Sequence, residues 1–140
     1  MKVGIGYRNE KDAFLSGKLV AEAAIRNGSI ERPDIVLAFC GGRIDAAVFF
    51  KGLQSIIGKR TPIIGGSAVG VFINTDMSYE GYSTGIAIFQ SDSVRCKIAA
   101  AGDMDQDERN AGIKMARQLP FGPEDKLLLI FYDSVKIPPS

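Results

Sequence analysis

The sequence predicts an α/β fold: a single domain over residues 1–140, built on a mixed sheet. Three observations predict it. Apolar runs at 3–7, 34–39 and 62–64 alternate with helical patterns, the order of a β-α-β-α-β unit with parallel strands and right-handed crossovers. Past Gly65 the helical period vanishes until about residue 103, and strand-like runs follow one another, so part of the sheet is expected to be antiparallel. One further helix and a last strand complete the pattern.

Each element follows from its residues. The first strand, 3–7, leads through Arg8-Asn9-Glu10-Lys11 into a helix over 12–27, with Asn9 or Asp12 as its cap. Leu15, Leu19, Val20, Ala23 and Ala24 share one helical face, Lys18, Glu22 and Arg26 lie opposite, and Gly28 is the expected stop. In the strand 34–39, Ile35, Val36, Leu37 and Phe39 leave no solvent face, as in a buried parallel strand. The helix over 43–57 uses Phe49, Leu53, Ile56 and Ile57 and ends at Gly58. Strands are expected at 62–64, 69–73, 82–89 and 94–101, with Ser91-Asp92-Ser93 as a hairpin turn between the last two. Arg95 and Lys97 alternate with apolar residues, which marks the strand at 94–101 as an edge. The helix starting at 103–107 turns Ala111, Met115 and Leu119 inward, and 127–132 is the final strand. The terminal Ile137-Pro138-Pro139-Ser140 carries no capping element, as if a larger protein continued.

Composition narrows the function. A net charge of +1 offers no electrostatic footprint for nucleic acid, and no run of apolar residues is long enough to span a membrane. The N-terminus reads directly as a strand rather than a secretory leader, so the expected setting is cytoplasmic. Cys40 and Cys96 are too few for a disulfide framework or a zinc site, and both are expected as small buried residues in strands. Histidine is absent, which removes the Ser-His and Cys-His nucleophile pairs. No cofactor is expected.

Four segments carry a suggestive pattern beside a plainer reading. Gly4-x-Gly6-x-x-Asn9 lacks the third glycine of a dinucleotide fingerprint and has no acidic partner, so small residues packed against a helix explain it better. Gly65-Gly66-Ser67-Ala68-Val69-Gly70 has Val69 where a nucleophile elbow needs glycine, and a strand rather than a helix follows. Asp103-x-Asp105-x-Asp107-Glu108 opens like a calcium loop, but Glu108 and Lys114 stand where glycine and glutamate are required. The polar segment 74–81 is either a lid or a plain exposed connection.

The strand 33–40, the helix through Gly52-Leu53, the segment Pro62-Ile63-Ile64-Gly65-Gly66-Ser67-Ala68-Val69-Gly70, the apolar Gly85-Ile86-Ala87-Ile88-Phe89 and the opening Val3-Gly4-Ile5-Gly6-Tyr7 together resemble the N-terminal FIST domain. The resemblance covers nearly the whole chain and is most specific over 62–70. It implies an intracellular sensory module of signal transduction that binds a small ligand such as an amino acid and passes the signal to an output domain on another chain. The chain resembles a short version, without the family's companion C-terminal domain.

The expected binding site lies at the ends of the first three strands. Tyr7 and Arg8 flank one side, Cys40, Gly41, Gly42 and Arg43 present a helix N-terminus suited to a carboxylate, and Gly65, Gly66, Ser67 and Ala68 form the floor. No catalytic or metal-binding residue is expected. Two other classes stay open: a hydrolase- or thiol-type enzyme using Ser67 or Cys40, and a non-catalytic assembly module in which a second copy pairs along a sheet edge.

Overall fold

A computed structural model describes residues 1–132, and the terminal Ile137-Pro138-Pro139-Ser140 segment lies outside the described residues. The chain divides into two compact units at Cys96 and Lys97. The first unit holds β1 (Lys2–Asn9), α1 (Ala13–Gly28), β2 (Ile35–Gly41), α2 (Ala46–Ile57), β3 (Ile63–Ala68), β4 (Val71–Phe72), β5 (Met77–Ser78) and β6 (Ser83–Gln90); the second holds α3 (Glu108–Gln118).

The main sheet has the order β1-β6-β2-β3 and is mixed, as expected. β2 and β3 are parallel, whereas β6 runs antiparallel to both β1 and β2. The three leading strands therefore share one direction, but β1 and β2 are not neighbours, because β6 is inserted between them. A short hairpin of β4 and β5 forms a separate ladder within 69–81, closed by the Ile73 amide donating to the Asp76 carbonyl at 2.7 Å.

Both helices cover one face of the sheet. Val36, Ala38 and Cys40 of β2 and Thr84, Ile86 and Ile88 of β6 point into this layer and are buried, as are Val20, Phe49 and Leu53 from the helices. The opposite face is only partly covered. Ile35, Leu37 and Phe39 are half-buried there, and Val3 and Ile5 are exposed, so β2 has two unequal faces instead of the fully buried pair its composition predicted.

The two helices approach by way of small residues. A Cβ on Gly4 or Gly6 would overlap the Ala24 or Val20 carbonyl oxygen of α1, and one on Gly17 or Gly52 would overlap the backbone of the facing helix. The buried side of α1 is accordingly Ser16, Gly17, Val20, Ala21, Ala23 and Ala24, while Leu15, expected inside, is exposed. Gly28 likewise belongs to the helix, pressed against Gly4. The left-handed cap is Ser29 at φ 48°, and at the other end Asp12 accepts from the Leu15 amide at 2.9 Å. Asn9 instead takes the Tyr82 amide at 2.9 Å, fixing the entry to β6.

In the second unit, Asp107 caps α3 by accepting from the Asn110 amide at 2.8 Å, and Glu108 lies in the helix's first turn. Ala111 is buried, with Met115 and Leu119 intermediate, on the face expected to turn inward. Residues 94–101 and 127–132 form no strand, and Cys96 is exposed rather than buried. Apolar content marks a segment for burial, but a strand requires a neighbouring backbone in register, which the pattern of one segment does not specify.

Replacing Gly52 by valine should destabilise the protein by about 1–3 kcal/mol, because the helix pair must separate to admit the side chain. Gly112→Ala in α3, where a Cβ meets nothing within 4 Å, should be neutral or gain about 0.5–1 kcal/mol. Urea denaturation of both variants checks the contrast, and equal losses would contradict the close-packed seam.

Candidate functional site

At the C-terminal ends of β1, β2 and β3 the sheet register aligns four residues in a row. Arg8 pairs with Thr84, Thr84 with Cys40, and Cys40 with Ser67. Thr84 is fully buried and shares a 2.8 Å hydroxyl–hydroxyl hydrogen bond with the equally buried Ser16 of α1. This bond ties β6 to the helix layer. Thr84 also donates to the Arg8 carbonyl at 3.4 Å, so the Ser16 hydroxyl is the one that would carry an unmet desolvation cost if the pair were broken.

Beside the row, between α2 and the β2–β3 pair, lies a cavity of about 160 Å³. β2 contributes Ala38 and Cys40 to its lining, and β3 contributes Ile63, Gly65 and Gly66. From α2 come Ala46, Phe49, Phe50 and Leu53. Gly65 has φ 156° and a Cβ there would overlap the Ala38 carbonyl oxygen, so this part of the floor is bare backbone. At Gly66 a Cβ would meet nothing within 4 Å, which leaves that side open.

The cavity contains one titratable side chain. Burial pushes the Cys40 thiol above its ordinary range, and a hydrogen bond with the Ser67 side chain opposes that shift only partly. The thiol is therefore protonated at neutral pH. Its raised folded-state value makes the contribution to stability complete below the ordinary thiol range and lost as pH rises through the folded value.

The turn Gly41-Gly42-Arg43 leads into α2, closed by the Ile44 amide donating to the Gly41 carbonyl at 3.0 Å. Arg43 is exposed and does not line the cavity. The α2 N-terminus holds a carboxylate of its own: Asp45 Oδ1 accepts from the Ala47 and Val48 amides at 3.0 Å each. Tyr7 and Arg8 lie across the inserted β6, two strand spacings or about 10 Å from β2. The Arg8 guanidinium donates to the Tyr7 carbonyl at 2.8 Å.

Of the residues expected to form the site, the structure brings Cys40, Gly65 and Gly66 together at the cavity. Ser67 adjoins them through its hydrogen bond to Cys40, and Ala68 pairs with Gly41 at the end of β3. The α2 wall was not foreseen. Its signal is the spacing of Ala46 and Phe50 at i and i+4, which widens the core-facing stripe of Phe49 and Leu53 on one flank. Ser67 lies within β3 rather than on a strand-to-helix turn, so it lacks the geometry of an elbow nucleophile. Among the described residues there is no cluster of His, Cys, Asp and Glu that could hold a metal ion, and no helix long and apolar enough to cross a membrane.

Compared with models of known families, residues 34–139 match that of the FIST N domain. No curated protein matches the chain.

Thr84→Val should cost about 1–3 kcal/mol by orphaning the Ser16 hydroxyl, and adding Ser16→Ala should recover part of that loss. A double-mutant cycle by denaturant unfolding measures it; simple additivity would deny the coupling. In thiol labelling at neutral pH the exposed Cys96 should react first, with Cys40 protected until the protein unfolds. Mass spectrometry of the partially labelled chain distinguishes the two.

Proposed function

The chain belongs to the FIST N domain family, whose members are sensory domains of signal transduction, and from that premise we propose that it binds a small metabolite in the cavity between α2 and the β2–β3 pair. One observation supports this reading above the others: a cavity of about 160 Å³ opens between α2 and the face of the parallel β2–β3 pair, and two of the three β3 residues that line it are glycines. Ligand pockets are concave and mostly apolar, with a few polar backbone groups to orient the ligand.

An amino acid is the proposed ligand. It combines a side group for the cavity with polar groups for the peptide units exposed at Gly66 and Ser67. The setting is intracellular and the output lies on another chain. The signal is a shift between conformations, limited in size by the ligand's differential affinity for them. The protonated Cys40 thiol favours binding over a nucleophilic role, because the thiolate is the reactive species.

A thermal-shift screen with the amino acids and common metabolites tests the reading. A ligand at a hundred times its dissociation constant should add about 2.7 kcal/mol, which moves Tm by several degrees. No shift across the panel would remove the support for ligand binding.

A further inference from the structure

We propose that the cavity selects an uncharged apolar group, about the size of one benzene ring or a branched four-carbon side chain, and leaves any charged group of the same ligand outside. This inference rests on the reading of the cavity as the ligand site and adds the chemistry that the site takes.

Size is the first argument. The cavity measures about 160 Å³ and is open to solvent on the side of Ala46, Phe50, Gly65 and Gly66; an enclosed cavity of about 150 Å³ holds one benzene, which sets the size of group that this space can take. The second argument is the lining. Phe49 and Leu53 are 3% and 1% exposed, Phe50 forms a half-exposed rim, and no Lys, Arg, Asp or Glu reaches the cavity to offset the desolvation of a ligand charge.

The third argument concerns the nearest device that would otherwise attract a carboxylate. Free amides at the start of α2 would serve as an anion seat, but Asp45 already accepts from two of them at 3.0 Å. A second carboxylate there would have to displace that cap against the repulsion of a like charge. An ammonium group inside the cavity would find only a protonated thiol and carbonyl dipoles. The entropic and dispersion gain of filling the space with carbon remains, and it requires no counter-charge.

Saturation-transfer NMR on the 140-residue chain tests this, with toluene and isobutyl alcohol as neutral apolar probes and acetate and ethylammonium as charged ones. The apolar probes should give signals and the charged probes none. Ala46→Leu places a branched chain in the cavity from an exposed position at the first residue of α2, and should weaken apolar binding about tenfold or more with unchanged circular dichroism. Phe50→Ala removes one wall and should weaken binding several-fold, an independent check should the leucine variant misfold. Apolar binding that survives both substitutions would place the group elsewhere and overturn the inference. Response to charged probes alone would overturn it while leaving the sensory reading intact. Silence from these probes, with metabolites still shifting Tm, would likewise overturn the inference alone; silence in both experiments would remove both.

Discussion

The arrangement of the first unit depends on how closely α1 can approach its neighbours. Gly4, Gly6 and Gly28 let the helix lie on β1 with backbone nearly touching backbone, and Gly17 opposite Gly52 does the same between α1 and α2. Shape rather than bulk holds this seam: many small dispersion contacts at short range replace a few large side chains. The inserted β6 is held to the same helix by the buried Ser16–Thr84 hydrogen bond, so α1 fixes both strands beneath it.

Close packing on one flank of α2 shapes its other flank. With Gly52 pressed against the Phe14 carbonyl, the opposite side of the helix carries Ala46, Phe50 and Leu53 over the β2–β3 pair. β3 has no side chain to meet them at Gly65 and Gly66. Tight contact at the helix seam and missing atoms at the strand floor are thus complementary uses of the same residue type, and the cavity is the space left between them. Gly65 cannot accept a Cβ without colliding with Ala38, while Phe49 and Leu53 of α2 are anchored in the core.

Local order was readable from the sequence; partnership across distance was not. Gly58, the apolar stripe through Phe49 and Leu53, and the run from Ile35 to Phe39 located α2 and β2 closely, since helix stops and periodicity are local properties. The insertion of β6 between β1 and β2 was hidden, because the pairing of Ile5 with Ala87 and of Leu37 with Ala87 is a long-range choice. It separated Tyr7 and Arg8 from the other expected site residues. Hydrophobicity points Leu15 inward, whereas the seam takes Ser16 and Gly17, which a hydropathy pattern ranks as poor core residues. The glycine pair at Gly65 and Gly66 pointed to the cavity floor through its lack of side chains, but the wall from α2 required knowing which flank of the helix overhangs β3.

β3 is the element of this site with the fewest constraints. It is an edge strand with β2 as its one ladder neighbour, and its last residues, Ala68 and then the exposed Val69, lead directly to the β4–β5 hairpin. There the buried Val71 sits against Gly85 of β6, filling space that a side chain on Gly85 would need. A group occupying the cavity would touch α2, β2 and β3 together, while only β3 is continuous with the hairpin. Only two residues, Val69 and Gly70, separate the end of β3 from Val71, and neither belongs to the glycine seam of α1. The glycine contacts of α1 thus hold β1 and α2, while β3 has β2 as its one ladder partner.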